Sequence, residues 1–317
     1  METLGTLHMP VKEMLGLVAD GAGCVALSLG ADTDEGEWHV LRSRDGFGFA
    51  ILSQLTATAQ SIAADSEGHI WIAQDSVVTR LTASGASTGT SFSVRPARTG
   101  KTPPYAAVLA MQCVNNVLYF ITSSTAEHGS QGALETYDIS SGTCSTLTKH
   151  VSSKNGFAVF CCADESHNGK VLFISNSNSL CQLDLGSKEV EVLLVRCPYP
   201  SARLFSGPGP LAALLVPDLS QSPSTSSLYS CSEEGELQLL RSGLVVTSNM
   251  LAVSKAGDVM FFQPHWDNKE LSSMVRLHCP GMLSPSTPRQ VKPLLLVKVR
   301  DEWVYVRLVG GVEQLLG

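Results

Sequence analysis

The chain has 317 residues and a formal net charge of −7, a sign that disfavours general binding to nucleic-acid backbones. Charged residues make up only 16%, against roughly 25% in average proteins, which suits either a surface covered in part by other subunits or a β-rich surface dressed with hydroxyls. No apolar run approaches the roughly 18 residues of a membrane-spanning helix, and the N-terminus has no basic-then-apolar signal pattern.

Strand-like Thr3–Met9 comes first. Leu15–Ala19 and Cys24–Leu29 then flank a turn at Gly21. Ser61–Gln74 reads as strand, turn at Gly68 and strand, with Val77–Thr82 as a third strand. Val108–Cys113 and Val117–Thr122 flank Asn115; Phe157–Cys162 and Val171–Ser175 flank Asn168. Pro208 and Pro210 crowd a turn at Gly209, and proline cannot donate to a sheet ladder. Met250–Ser254 and Val259–Gln263 flank Gly257, and Leu294–Val299 and Trp303–Val309 flank Asp301.

These seven turn centres recur about every 47 residues, with no helical stripe between them. A period of roughly 40–50 residues predicts one four-stranded sheet per repeat. The apolar runs are nearly unbroken, as expected of inner strands buried on both faces. The expected fold is all-β: a single β-propeller domain over residues 1–317, with seven four-stranded blades. Only Val312–Leu316 follows the last apolar pair. Thr3–Met9 is therefore expected to supply the strand missing from that blade and to close the ring. Six blades with long insertions are the alternative.

Two segments carry a family resemblance. Ser61–Thr82 resembles a blade of NHL-type or gluconolactonase-like propellers. Ala133–Gly142 followed by Thr143–Thr148 resembles the third and fourth strands of a WD-repeat blade, with Tyr137-Asp138 where that family has Trp-Asp. The Gly-His dipeptide of that family is missing from the corresponding position in every copy. The resemblance covers the chain as architecture and implies the propeller superfamily.

Motifs that could carry chemistry are few. Gly85-Ala-Ser87-Thr-Gly89 matches a nucleophile elbow, but Thr90–Val94 reads as strand where the elbow requires a helix. Gly100-Lys101-Thr102 resembles the end of a phosphate-binding loop, yet Arg95 stands where its first glycine belongs, and Pro103-Pro104 forbid the helix. What remains is a basic loop, Arg95, Arg98 and Lys101, suited to an acidic partner. His265 and Trp266 share another loop, Trp266 as a candidate contact anchor. Lactonase-type propellers hold a divalent cation in the central channel through acidic and Asn ligands. That resemblance makes Asp65, Asn176, Asn178 and Asp267 the loose candidates here. Nine cysteines, with no Cys-x-x-Cys spacing and an adjacent Cys161-Cys162 pair, read as buried reduced thiols. Ser222-Pro223, Ser284-Pro285 and Thr287-Pro288 are candidate phosphorylation sites in polar loops.

No catalytic constellation emerges. The expected role is a non-catalytic protein–protein interaction scaffold, without metal or cofactor, in a larger cytoplasmic or nuclear assembly of protein subunits. The alternative is a metal-dependent enzyme of the lactonase or lyase propeller type with its site in the channel. A reader of one short peptide motif is a third possibility.

Overall fold

Runs of branched and aromatic residues favour a pleated, half-buried surface, and they form the sheets seen in the computed structural model. It describes residues 2–7, 11–20, 23–30, 38–43, 50–55, 59–74, 76–94, 107–123, 131–152, 155–160, 169–194, 201–207, 211–218, 225–246, 251–254, 257–264, 272–279, 282, 294–299 and 302–307. Two compact units are present, Met1–Ser284 and Pro285–Gly317.

In the first unit, β1 (Glu2–Leu7) opens the chain. The first sheet is β2 (Val11–Asp20), β3 (Gly23–Gly30), β4 (Trp38–Ser43) and β5 (Ala50–Leu55). The second is β6 (Ser61–Ala64), β7 (Ile70–Gln74), β8 (Val77–Leu81) and β9 (Ser87–Ser93). The third is β10 (Ala107–Val114), β11 (Val117–Ser123), β12 (Gln131–Asp138) and β13 (Thr143–Ser152). The fourth is β14 (Phe157–Phe160), β15 (Lys170–Ile174), β16 (Leu180–Asp184) and β17 (Val190–Leu194). The fifth is β18 (Arg203–Ser206), β19 (Leu211–Asp218), β20 (Thr225–Ser232) and β21 (Leu237–Leu244). The sixth is β22 (Leu251–Val253), β23 (Asp258–Pro264) and β24 (Ser272–His278), completed by β1. The second unit holds a two-stranded sheet, β25 (Leu294–Val299) with β26 (Glu302–Arg307).

Five of the connecting turns share one construction. Asp65, Thr82, Ser175, Ser232 and Ser254 each donate a backbone N–H to the carbonyl four residues on. The residue three positions on is left-handed: Gly68 (φ 82°), Gly85 (87°), Asn178 (60°), Gly235 (81°) and Gly257 (78°). The first side chain then accepts the N–H of the fifth residue, at 2.9, 3.1, 3.1, 3.2 and 3.1 Å respectively. A short oxygen-bearing side chain followed three residues later by Gly or Asn therefore encodes the hairpin.

The sheets stack through interlocking apolar layers. Along β14, Ala158 and Phe160 pack towards the fifth sheet while Phe157 and Val159 pack towards the third. This alternation across a strand is the period-two pleat with both faces buried. Between the second and third sheets the layer is aromatic. Phe92 stacks on Tyr137 with centroids 4.0 Å apart, and Trp71 meets Tyr137 edge-on at 6.1 Å. Tyr137 and Asp138 end the third strand of their sheet, as the WD-type resemblance requires.

The result is an all-β propeller, but not one of seven four-stranded blades. Among the described residues there are six four-stranded sheets and one two-stranded sheet. The reason is where the ring closes. The innermost strands β2, β6, β10, β14, β18 and β22 each neighbour the next, and β22 neighbours β2 again. An N-terminal strand does complete a sheet, but its partner is β24, with Glu2 opposite Arg276 and Leu7 opposite Ser272. The expected partner was the last repeat. That repeat is the β25–β26 hairpin, whose paired register runs from Leu294–Arg307 to Val299–Glu302.

Candidate functional site

The six innermost strands surround a central cavity of about 550 Å³. Each contributes residues to its wall, from Gly16–Ala19 on β2 to Leu251–Val253 on β22. Most of that wall is apolar, including Leu17, Ile62, Leu109, Met111, Phe157 and Phe205. Polar groups are sparse: Gln60, Ser61, Gln112, Ser206 and one cation, Arg203. A mostly apolar pocket with a few placed polar groups is the usual form of a small-molecule site.

Arg203 opens β18 and is half-buried. Burial pushes its pKa down, because a charge loses solvation when it leaves water. Its backbone is clamped on both sides by one residue. Asn155 Nδ2 donates to the Ala202 carbonyl, and the Leu204 N–H donates to the Asn155 carbonyl at 2.8 Å. Asn155 is itself buried, and its Oδ1 accepts from the Ser152 hydroxyl. Next to it, Gly156 bridges Leu204 in parallel register. Gly156 has φ 67°, and a Cβ there would sit 2.7 Å from the Leu204 carbonyl oxygen. Only glycine permits so close an approach of two backbones. Among the described residues no carboxylate pairs with the Arg203 guanidinium.

Three residues further along β18, about 10 Å at the usual strand rise, Ser206 ties three sheets together. Its hydroxyl donates to Gln112 Oε1 on β10 and accepts the Val159 N–H on β14 at 2.8 Å. Arg203 and Gln112 both line the cavity, and both side chains carry N–H donors. Cys113 also lines the wall. Burial, with the nearby Asp65 charge, pushes its thiol up to about 12, so it stays protonated and is a poor nucleophile.

Asp65, a candidate metal ligand by sequence, is instead consumed by its own sheet. One oxygen accepts the N–H groups of Glu67 and His69 at 3.0 and 2.9 Å. The other accepts from Arg80 Nη2 at 2.9 Å and from Trp71 Nε1 at 3.3 Å. Arg80 also lies over the Trp71 ring, 5.4 Å from its centroid. Burial works to raise the Asp65 pKa, but the His69 N–H and the Arg80 guanidinium outweigh it and hold the carboxyl below its ordinary value.

The remaining candidates are not gathered at the cavity. Asn176 and Asn178 lie in the β15–β16 turn, away from the cavity wall. Arg95, Arg98, Lys101, His265, Trp266 and Asp267 lie outside the described residues, as do Ser222, Ser284 and Thr287. Ser87 begins the outer strand β9, so no elbow forms there. Cys113, Cys144, Cys181, Cys231 and Cys279 are free thiols. Among the described residues no three His, Cys, Asp or Glu side chains converge on a metal site. With Arg203 as the charged residue on the described wall, this donor set does not fit a divalent cation. Sequence reasoning missed Arg203, Gln112 and Asn155. The available signal was one cation opening the short strand Arg203–Ser206.

No protein-family profile and no curated protein matches the chain. Among solved structures it is similar to XC5397, a gluconolactonase from Xanthomonas campestris, with 11% identity over 88% of both chains and a TM-score of 0.56. TolB from Acinetobacter baumannii matches 76% of this chain and 60% of its own, at 10% identity and a TM-score of 0.49. A protein of unknown function from Bacteroides thetaiotaomicron matches 81% and 77%, at 13% identity and 0.47. At these identities the likeness is one of fold, and it agrees with the propeller resemblance of the sequence. The expectation that the chain is not an enzyme is corrected on one point: the gluconolactonase is an enzyme on a similar fold, so the architecture is no argument against catalysis. Among the described residues no helix is long and apolar enough to cross a membrane.

Proposed function

We propose that the chain is a propeller enzyme of the lactonase or lyase kind, with its site in the central cavity. The observation that carries this reading is Arg203, a half-buried guanidinium on the wall of a mostly apolar cavity. The likeness of fold to a gluconolactonase supports it. Lactone hydrolysis adds water to a ring carbonyl, and negative charge develops on the carbonyl oxygen. Arg203 would stabilise that oxyanion, and the interaction strengthens where water is excluded. The Gln112 amide, aimed by Ser206, would orient a second oxygen. Collapse of the intermediate opens the ring to a hydroxy acid, the proton of the attacking water ending on the former ring oxygen. The described residues supply no metal-binding set, so no step runs through a cation.

The test is turnover of a panel of lactones by the purified protein and by Ala110→Phe, which fills the cavity. Hydrolysis by the wild type that Ala110→Phe abolishes is the expected result. Lack of turnover across the panel would sink the reading.

A docking role on the rim is favoured by a separate observation. β17 is the outer strand of its sheet, and Val190, Val192 and Leu194 on it are 45%, 52% and 38% exposed. Exposed Glu189 and Glu191 flank them, and exposed Glu234 and Glu236 lie in the turn against which Leu193 packs. An open apolar edge with acidic flanks suits an extended partner segment that alternates basic and apolar residues. A synthetic Lys-Val repeat peptide should bind the wild type and lose binding to Val192→Glu; equal binding to both would remove this role.

A further inference from the structure

Resting on that reading of the cavity, we propose that its ligand is an amphipathic monocarboxylate, a single carboxylate head on an apolar body. The enzyme's lactones would then be aliphatic or aryl ones rather than sugar lactones. Three features of the cavity lead there. The first is charge. The Arg203 guanidinium is half-buried and has no carboxylate partner among the described residues, and a charge taken out of water unpaired is costly. An anion in the cavity restores what solvation lost.

The second is stoichiometry and shape. Arg203 is the only charged group on the described wall. One cation matches one negative charge, whereas a phosphate monoester brings close to two. The planar guanidinium fork also fits both oxygens of a carboxylate at once. The Asn155 clamp fixes the backbone on either side of Arg203, so the side chain extends from an ordered anchor.

The third is the rest of the wall. Beyond Arg203, the Gln112–Ser206 pair, Gln60 and Ser61, the lining residues are Leu, Val, Ile, Met, Phe, Ala, Gly and Cys. A polyhydroxylated body would bring more hydroxyls than these few groups can satisfy, each unpaired one at a cost of about 1–3 kcal/mol. An alkyl or aryl body instead gains from every methylene removed from water. A cavity of about 550 Å³ lies within the roughly 300–1,000 Å³ typical of small-molecule sites.

The experiment is titration calorimetry of the full chain with four probes: hydroxydecanoate, decanamide, gluconate and inorganic phosphate. Hydroxydecanoate is expected to bind at least tenfold more tightly than the other three. Arg203→Gln should lower its affinity at least tenfold and leave decanamide unchanged, while Arg203→Lys should recover part of the loss. A thermal midpoint for each variant separates lost binding from lost folding. If Arg203→Gln does not fold, Ala252→Phe on the wall takes its place and should block hydroxydecanoate. Equal binding of acid and amide, tighter binding of gluconate or phosphate, or no binding of any probe overturns the proposal. Turnover of gamma-decalactone in the same preparation keeps the two readings apart. Binding without turnover removes the enzyme and keeps the ligand class. Turnover of sugar lactones without hydroxydecanoate binding does the reverse.

Discussion

The Ser206 hydroxyl on β18 donates to Gln112 Oε1 on β10, although the whole sheet that begins with β14 stands between theirs in the ring. The intervening strand joins in through the Val159 N–H, 2.8 Å from the same hydroxyl. One serine therefore fixes the spacing of three innermost strands, at a level where the cavity would otherwise be free to widen.

Ser206→Ala leaves the Val159 N–H and the Gln112 carbonyl oxygen without this partner. An unmade hydrogen bond of this kind costs about 1–3 kcal/mol. Urea unfolding should show that loss at unchanged slope. A variant as stable as wild type would mean that water replaces the hydroxyl, and that the three strands do not depend on it.

Asn155→Ala should act on binding as well as stability. It removes the donor to the Ala202 carbonyl and the acceptor of the Ser152 hydroxyl. The Leu204 N–H to Asn155 carbonyl bond survives, because it is made by backbone. The expected stability loss is again about 1–3 kcal/mol. Affinity for a carboxylate should also fall, since the Arg203 backbone is then held on one side only. Asn155→Asp keeps the acceptor but sets a buried carboxylate oxygen against the Ala202 carbonyl, and should cost at least as much stability as Asn155→Ala.

Asp65 makes stability depend on acid pH. Its folded-state pKa is held below the ordinary 3.8. A depressed carboxyl contributes stability that is complete above the unfolded value and is lost as pH falls through the folded value. Asp65→Asn should cost about 1–3 kcal/mol near neutrality, because Arg80 loses its buried carboxylate and keeps only the exposed Glu67, 3.3 Å away. The gap between wild type and variant should hold down to about pH 5 and shrink below about pH 4. Chemical denaturation along a pH series measures it. A gap that widens in acid would mean that the sign is wrong.

Much of this architecture was legible locally. Gly68, Asn115 and Gly257 lie between the first and second strands of their sheets, as the spacing indicated. The Tyr137-Asp138 pair also sits where the WD-type resemblance placed it. Such signals lie within four or five residues of the hairpins that they encode. The sheet count was not local. Seven turn centres suggested seven blades, but closure is decided by β1 pairing with β24, at opposite ends of the first unit. The site was obscured for the same reason. The clamp on Arg203 comes from Asn155, 47 residues before the carbonyl that it holds. Asp65 looked available for metal because Arg80, which occupies it, lies two strands away.

Deleting residues 1–10 tests that closure. The sixth sheet loses its outer strand and exposes the edge of β24. The thermal midpoint should drop by many degrees, and the protein should become prone to aggregation through the opened edge. A midpoint unchanged by the deletion would show that β22 against β2 closes the ring without help.

The pairing of Glu2 with Arg276 also has a history written into it. As the chain leaves the ribosome, β1 appears first and its partner emerges only after five sheets have been made. Synthesis proceeds at about 5–20 residues per second, so β1 spends on the order of ten seconds or more as a bare edge awaiting its neighbour. The ring therefore cannot be completed from either end alone, and its last step waits on the longest-range strand pairing among the described residues, the kind that forms slowest. A nascent chain stalled before Ser272 would carry five sheets and an orphaned first strand, a natural client for chaperones.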